Sequence, residues 1–273
     1  MTGRVPARRR PAPGLLAAGL VGAALVTWAV TAARMRGMDA GPGTDLGGLG
    51  WFIGVWVTMM AAMMLPSALP MVLVVRGASA ARGGPPGPDA AACTFVAGYL
   101  AVWTAYGLLA YGAFRVLVAV HPGFLAWDRQ GPVVAGAAVA AAGLYGLTPL
   151  KRACLRHCRT PLGFVMHRWR DGAAGAFAMG VEHGGWCLGC CAGLMLVLFA
   201  VGVMSLAWMA VVAGIVFAEK VLPLAPRATT AVVALCLAGL GLWIAAAPRT
   251  VPGLTQPGGT MAMPARRGGM ARP

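Results

Sequence analysis

Long apolar runs separated by short basic segments constrain this 273-residue chain more than any other feature. A run of about 20 apolar residues can cross roughly 30 Å of hydrocarbon as one α-helix. Hydrophobic residues make up 59% of the chain and charged residues only 11%, which is far more apolar surface than one soluble core can bury. The sequence therefore predicts an all-α fold, a polytopic helical membrane protein.

The apolar runs predict about seven transmembrane helices. The run at residues 184–218 is too long for one span and just long enough for two, with a turn expected at residues 202–205. If this run is one tilted or re-entrant helix, the count falls to six. The predicted spans cover residues 14–33, 51–75, 93–120, 132–147, 184–218 and 229–247.

The basic residues predict the orientation of the chain and its lipid partners. They lie in short segments between the apolar runs, as the positive-inside tendency and attraction to anionic lipid require, and no basic domain suited to nucleic acid is apparent. We expect a basic cytoplasmic N-terminus at residues 1–13, one helical membrane domain at 14–247 and a basic inner loop at 148–180. The Pro- and Gly-rich tail, residues 248–273, is disordered by composition. Oligomeric state is left open.

The first candidate metal-ligating group lies in the predicted inner loop. Cys154, His157 and Cys158 follow i, i+3, i+4 spacing, so they share one turn of a helix. Neighbouring arginines favour the thiolate, which is the form of cysteine that binds metals. Two cysteines and a histidine have no packing reason to coincide in a polar loop, which favours metal or redox chemistry.

The second group opens the apolar run that follows. His183, Cys187, Cys190 and Cys191 fall within roughly a 100° arc of a helix, and Gly185, Gly189 and Gly193 lie on the far side, where small residues allow a neighbouring helix to approach. Glu182 is a candidate supporting residue, either paired with an inner-loop arginine or facing a cavity. The alternative is a structural carboxylate stabilised by the dipole at a helix N-terminus. Tyr99 and other aromatic residues of the third span are expected to serve in packing.

A methionine stripe marks the second span. Met59 and Met63, and Met60 and Met64, form two i, i+4 pairs. Thioethers bind Cu(I) and few other biological metals, although methionine also fills irregular gaps between helices. Pro66 and Pro70 interrupt the same span and leave backbone carbonyls for neighbours to satisfy. The stripe is therefore a candidate metal relay, with plain packing as the alternative.

Ordered motifs across residues 51–223 also carry a family resemblance. They are Leu147-Thr148-Pro149-Leu150-Lys151, Cys154-Leu155-x-x-Cys158, Pro161-Leu162-Gly163-Phe164, Trp169-x-x-Gly172, Met179-Gly180, His183-Gly184-x-x-Cys187-x-Gly189-Cys190-Cys191, Leu194-Met195, Trp208-Met209 and Glu219-Lys220, with Ala61-x-Met63-Met64-x-Pro66 in the second span. The chain resembles the bacterial integral membrane proteins grouped as domain of unknown function 2182, which are predicted to bind metal. It departs at Gly146, Ala192 and Ser205, none of them a proposed ligand. The resemblance implies metal binding at a bacterial plasma membrane.

Two functions fit these residues. The first is handling of a soft transition metal, Cu(I) favoured and Zn(II) an alternative, by transport or as a membrane chaperone that exchanges metal with a soluble donor or acceptor protein. The second is a thiol-disulfide oxidoreductase using Cys187 and Cys190. An outer-facing cysteine pair to receive electrons is missing from the sequence, and Glu182-His183 lacks a hydrolase signature. We therefore assign no catalytic residue and expect binding rather than catalysis.

Overall fold

The computed structural model describes residues 13–35, 46–120, 129–201, 205–222 and 225–251. All regular structure in these residues is helical, which confirms the predicted all-α membrane fold. A short 3₁₀ turn, Pro248–Thr250, follows the last helix. The helices are α1 Pro13–Met35, α2 Leu49–Arg82, α3 Pro88–Val120, α4 Gly131–Gly146, α5 Pro149–Arg159, α6 Pro161–Arg168, α7 Gly172–Val201, α8 Leu206–Val221 and α9 Pro226–Ala246.

The helices differ in whether they are long and apolar enough to cross a membrane. Five of the described helices, α1, α2, α3, α7 and α9, meet that requirement, and α4 with α5 forms a sixth candidate that bends by 64° at their junction. The described helices thus support five or six spans. A seventh would have to be α8, which has 16 residues and is shorter than an ordinary span.

The segment predicted as a polar inner loop, residues 148–180, is largely helical. Thr148 caps α5 by accepting a hydrogen bond from the Lys151 backbone N–H, and Pro149 and Pro161 stand at the first positions of α5 and α6, where a missing N–H costs nothing. The helix that carries the second Cys/His group begins at Gly172 and not near residue 184. It ends at Val201, next to the predicted turn.

Helix α2 continues through both of its prolines. Pro66 has no N–H to offer the carbonyl of Ala62 one turn earlier. The indole Nε1 of Trp28 in α1 donates to that carbonyl at 3.1 Å. The neighbouring helix therefore satisfies the carbonyl that Pro66 leaves free, as the sequence predicted.

Close contact between α3 and α7 depends on glycines other than the predicted stripe. A Cβ on Gly180 would collide with the Phe95 carbonyl, and one on Gly98 would collide with the Phe177 carbonyl. The two backbones therefore approach through one glycine from each helix. Gly185, from the predicted stripe, has no atom within 4 Å of where its Cβ would stand.

The remaining two glycines of the predicted stripe face other partners. Gly189 lies against Cys154 of α5, and Gly193 lies against Ala142 and Tyr145 of α4. The stripe prediction was thus correct for two close contacts and wrong for Gly185. Spacing along one helix fixes which residues share a face, but it does not identify the helix that covers that face.

The predicted chain ends fall mostly outside the described residues. Residues 1–12 of the basic N-terminus and residues 252–273 of the tail lie there, as do residues 202–204 of the predicted turn.

Candidate metal centre

Three thiols of α7 meet at one point in the core. The sulfur atoms of Cys187, Cys190 and Cys191 all lie within 4.8 Å of one another, and each residue is at most 1% exposed. Their spacing of three and four residues places them on one face of the helix, as predicted. Thiolates gathered in this way form a ligand set suited to a soft transition metal.

Helix α5 brings a fourth thiol to this cluster. Cys158 Sγ lies 3.7 Å from Cys190 Sγ, and Cys190 Sγ lies 3.6 Å from Cys191 Sγ. All the cysteines are free thiols. The two Cys/His groups, about thirty residues apart in sequence, therefore meet through Cys158 and Cys190.

Cys154 occupies the contact between α5 and α7. Its buried sulfur lies 2.6 Å from where a Cβ on Gly189 would stand. The Tyr145 hydroxyl donates to the carbonyl of the same glycine. The absence of a side chain at Gly189 is thus what lets α5, and its cysteines, lie directly against α7.

The two predicted histidine ligands lie beside the thiol cluster rather than within it. The ring of His157 stacks on Trp186, with centroids 4.1 Å apart. Its Nδ1 lies 2.9 Å from the Ala153 carbonyl. Because a carbonyl only accepts, Nδ1 carries the proton and Nε2 is left available as a ligand atom.

His183 is deeply buried among aromatic rings. It is 3% exposed, and the rings of Phe95, Tyr99 and Phe164 surround it with centroids 5.7 to 5.8 Å away. Its Nδ1 is buried and has no hydrogen-bond partner among the described residues. An unsatisfied buried nitrogen is costly, so this atom is a candidate for an interaction that the protein alone does not supply.

Two polar residues that the sequence argument did not place at the site contact Cys187. Lys220 Nζ donates to Cys187 Sγ at 2.9 Å, and the Tyr99 hydroxyl lies 2.9 Å from the same sulfur. All three residues are buried. Tyr99 is therefore more than the packing residue predicted, and the Lys220 ammonium supplies the positive charge that favours a metal-binding thiolate.

A buried ion pair stands next to Lys220. Lys151 Nζ of α5 donates to Glu219 Oε1 of α8 at 2.8 Å, and both side chains are at most 4% exposed. Arg159 adds bonds from α5 to the backbone carbonyls of Glu219 and Leu222, at 3.1 and 3.0 Å. Charged groups therefore hold α5 to α8 beside the thiols.

The sequence did contain a signal for these residues. The chain has only two lysines and two glutamates, and both lysines and one glutamate meet at this site. An ionisable residue closing an otherwise apolar helix is a functional candidate. Glu219 and Lys220 met that description, but the sequence did not identify their partners.

Glu182, the candidate supporting residue, is engaged elsewhere. Its carboxylate lies 3.3 Å from Arg168 and 3.9 Å from Arg170. Of the predicted environments, pairing with an arginine is the one observed, and the helix N-terminus is wrong because α7 begins at Gly172.

The four methionines of the predicted stripe are buried in the same core as the thiols. Met59, Met60, Met63 and Met64 are at most 2% exposed and belong to the hydrophobic cluster that includes Cys187 and Cys190. Helix α2 that carries them packs against α1, α3, α6 and α8. The stripe thus belongs to the interior of the bundle and not to its lipid-facing surface.

Comparison with known proteins agrees with a copper-related site. The family model PpoB2, described as copper chaperone, matches residues 53–244, a range that includes every candidate ligand. It supports the metal-binding expectation drawn from the motifs, although under a different family name from domain of unknown function 2182. No curated protein and no solved structure gives a significant match. Because the match spans well over half of the sequence, the chain belongs to the PpoB2 family of copper chaperones.

Proposed function

We propose that this protein is a membrane copper chaperone that carries Cu(I) as cargo on the thiols of α7 and α5. One observation carries the proposal: three buried sulfur atoms lie within 4.8 Å of one another in a chain of a copper chaperone family. Cys187, Cys190 and Cys191 are the proposed storage ligands. Cys158 is the proposed exchange ligand.

The choice of Cu(I) follows from ligand softness. Thiolates and thioethers select Cu(I), and the core holds both kinds of sulfur, with the four methionines of α2 as a candidate relay. Four thiols also suit tetrahedral Zn(II). The measurement of bound metal must therefore distinguish the two ions.

Charge balance supports a bound cation here. Three thiolates with one Cu(I) leave two negative charges in a buried site, and unpaired buried charge is costly. Lys220, 2.9 Å from Cys187 Sγ, offsets one of them. One net negative charge remains, whereas three neutral thiols would leave the buried Lys220 ammonium without an anionic partner at Cys187, so the contact supports a metal–thiolate group.

Exposure suggests how the cargo enters and leaves. Cys158 is half-buried, whereas the three α7 thiols are fully buried. A soluble donor or acceptor would therefore reach Cys158 first, and the copper would then exchange across 3.7 Å to Cys190. The basic residues of α5 and α6 favour the cytoplasmic side for this exchange.

The decisive test is elemental analysis of detergent-purified protein under anaerobic, reducing conditions. We expect near-stoichiometric copper, and more than about 100-fold weaker copper binding in Cys187→Ser and Cys190→Ser, since even removing a ligand's supporting partner costs 10–100-fold. Cys93→Ser and Cys236→Ser, at exposed cysteines, are the matched controls. Copper retained by both cluster variants would refute the proposed ligands.

A specific observation also supports the oxidoreductase alternative. The Cys158 and Cys190 sulfur atoms, 3.7 Å apart, are close enough that a small movement would let them form a disulfide, with two protons and two electrons passing to a quinone or to another disulfide. The redox pair would then join α5 to α7 rather than use Cys187 and Cys190 as predicted. Metal-free protein whose thiol count rises by two on reduction, and no longer does so in Cys158→Ser, would favour this function.

A further inference from the structure

A strongly basic cavity lies between α5 and the start of α9, on the side of α5 away from the thiol cluster. Its volume is about 760 Å³. Four arginines line it, and among the residues that the structure describes no carboxylate does. The residues that line it include Arg152, Arg156, Arg159, Arg227, Leu155 and Thr230.

Three of these arginines are available to a ligand. Arg159 is already bonded to carbonyls at the end of α8. Arg152, Arg156 and Arg227 are exposed, and among the described residues none of the three forms an ion pair with a carboxylate. Like charges gathered in one concavity repel one another, so an anion would lower the electrostatic energy of the cavity.

The surroundings of the cavity favour a lipid as the source of that anion. Leu147 just before α5, Leu150 within it, and Val232 and Leu235 on α9 are 49 to 72% exposed, as expected for surfaces that contact acyl chains. The helices that contribute arginines to the cavity therefore also carry apolar side chains that lipid can contact. Basic pockets between membrane helices bind phosphate headgroups, and arginine offers phosphate a bidentate geometry.

We propose that this cavity binds a phosphate group, with the headgroup of an anionic phospholipid as its source. The ligand would bridge α5, through Arg152 and Arg156, to α9, through Arg227. Because the opposite face of α5 carries Cys154 and Cys158, the bound headgroup would hold the thiol-bearing helix in place. The proposal does not depend on the copper function.

The test uses the full chain, delipidated in an uncharged detergent. Binding of phosphatidylglycerol, phosphatidylcholine and inorganic phosphate is measured by native mass spectrometry and by titration. We expect phosphatidylglycerol to bind most tightly. Arg152→Gln/Arg227→Gln should weaken its binding by roughly 25-fold, about fivefold for each arginine. Arg115→Gln/Arg249→Gln removes two exposed arginines outside the cavity and should leave binding unchanged.

The outcomes test three points separately: whether the cavity is the binding site, whether a lipid supplies the phosphate group, and whether copper binding is affected. Equal binding in the cavity variant and the wild type, or equal loss in the control variant, would overturn the site. Inorganic phosphate that binds as tightly as the lipid would overturn the lipid source. Unchanged copper content and unfolding temperature in the cavity variant would establish that any lost lipid binding reflects the cavity and not misfolding or the thiol cluster.

Discussion

Helices α2 and α7 each bury a row of sulfur-containing side chains in the same core, but the two rows have different neighbours. The methionines of α2 pack among apolar and aromatic side chains. Cys187 of α7 contacts an ammonium and a phenol, each at 2.9 Å. A neutral thioether is buried without a polar partner, whereas a thiolate needs a compensating charge. The neighbours of the sulfur, more than its burial, therefore distinguish the candidate metal site from packing.

The largest effect should come from breaking the ion pair behind the thiols. Lys151→Leu leaves the Glu219 carboxylate buried and unpaired, and we expect a loss of about 3–5 kcal/mol in the free energy of unfolding. Lys151→Leu/Glu219→Leu removes both charges and should recover most of the lost free energy of unfolding. Denaturant unfolding in detergent measures both variants. A double variant as unstable as the single one would show that the loss reflects side-chain packing and not the unpaired charge.

A smaller effect is expected from removing the charged neighbour of Cys187. Lys220→Leu should weaken copper binding by about 10–100-fold at neutral pH, as loss of other ligand-supporting groups does, because the thiolate loses its counter-charge. Lys220→Arg, which keeps the charge, is the matched control. Competition with a Cu(I) chelator gives the affinity. Unchanged copper affinity in Lys220→Leu would mean that the ammonium beside Cys187 does not set this sulfur apart from the methionine sulfurs of α2.

The smallest effect on stability should come from α2. Met63→Leu/Met64→Leu keeps apolar volume and should cost less than about 1.5 kcal/mol per site. If the methionines relay copper, the double variant should lower copper accumulation in cells while leaving zinc binding intact. Met71→Leu, at another buried methionine of α2, is the control. Unchanged copper accumulation would show that the methionine stripe serves only in packing.

Local patterns in the sequence predicted much of this structure. The i, i+3, i+4 spacing placed Cys187, Cys190 and Cys191 on one helix face, and the missing N–H of Pro66 predicted a carbonyl in need of a partner. Within residues 148–180 the same reasoning predicted one helical turn at Cys154, His157 and Cys158, but it did not give the bounds of the short helices α5 and α6. It failed for Gly185, because it could not identify the neighbouring helix.

By itself, the sequence determined the membrane class, the faces of the helices and the kinds of ligand available, because these depend on composition and on residues a few positions apart. Only the tertiary structure decided that Cys158 lies beside Cys190 and that Lys220 lies beside Cys187. Those contacts join α5, α7 and α8. They depend on which helices pack together and on how each helix is rotated about its own axis. For α5 and α7, the close approach at Gly189 determines this packing.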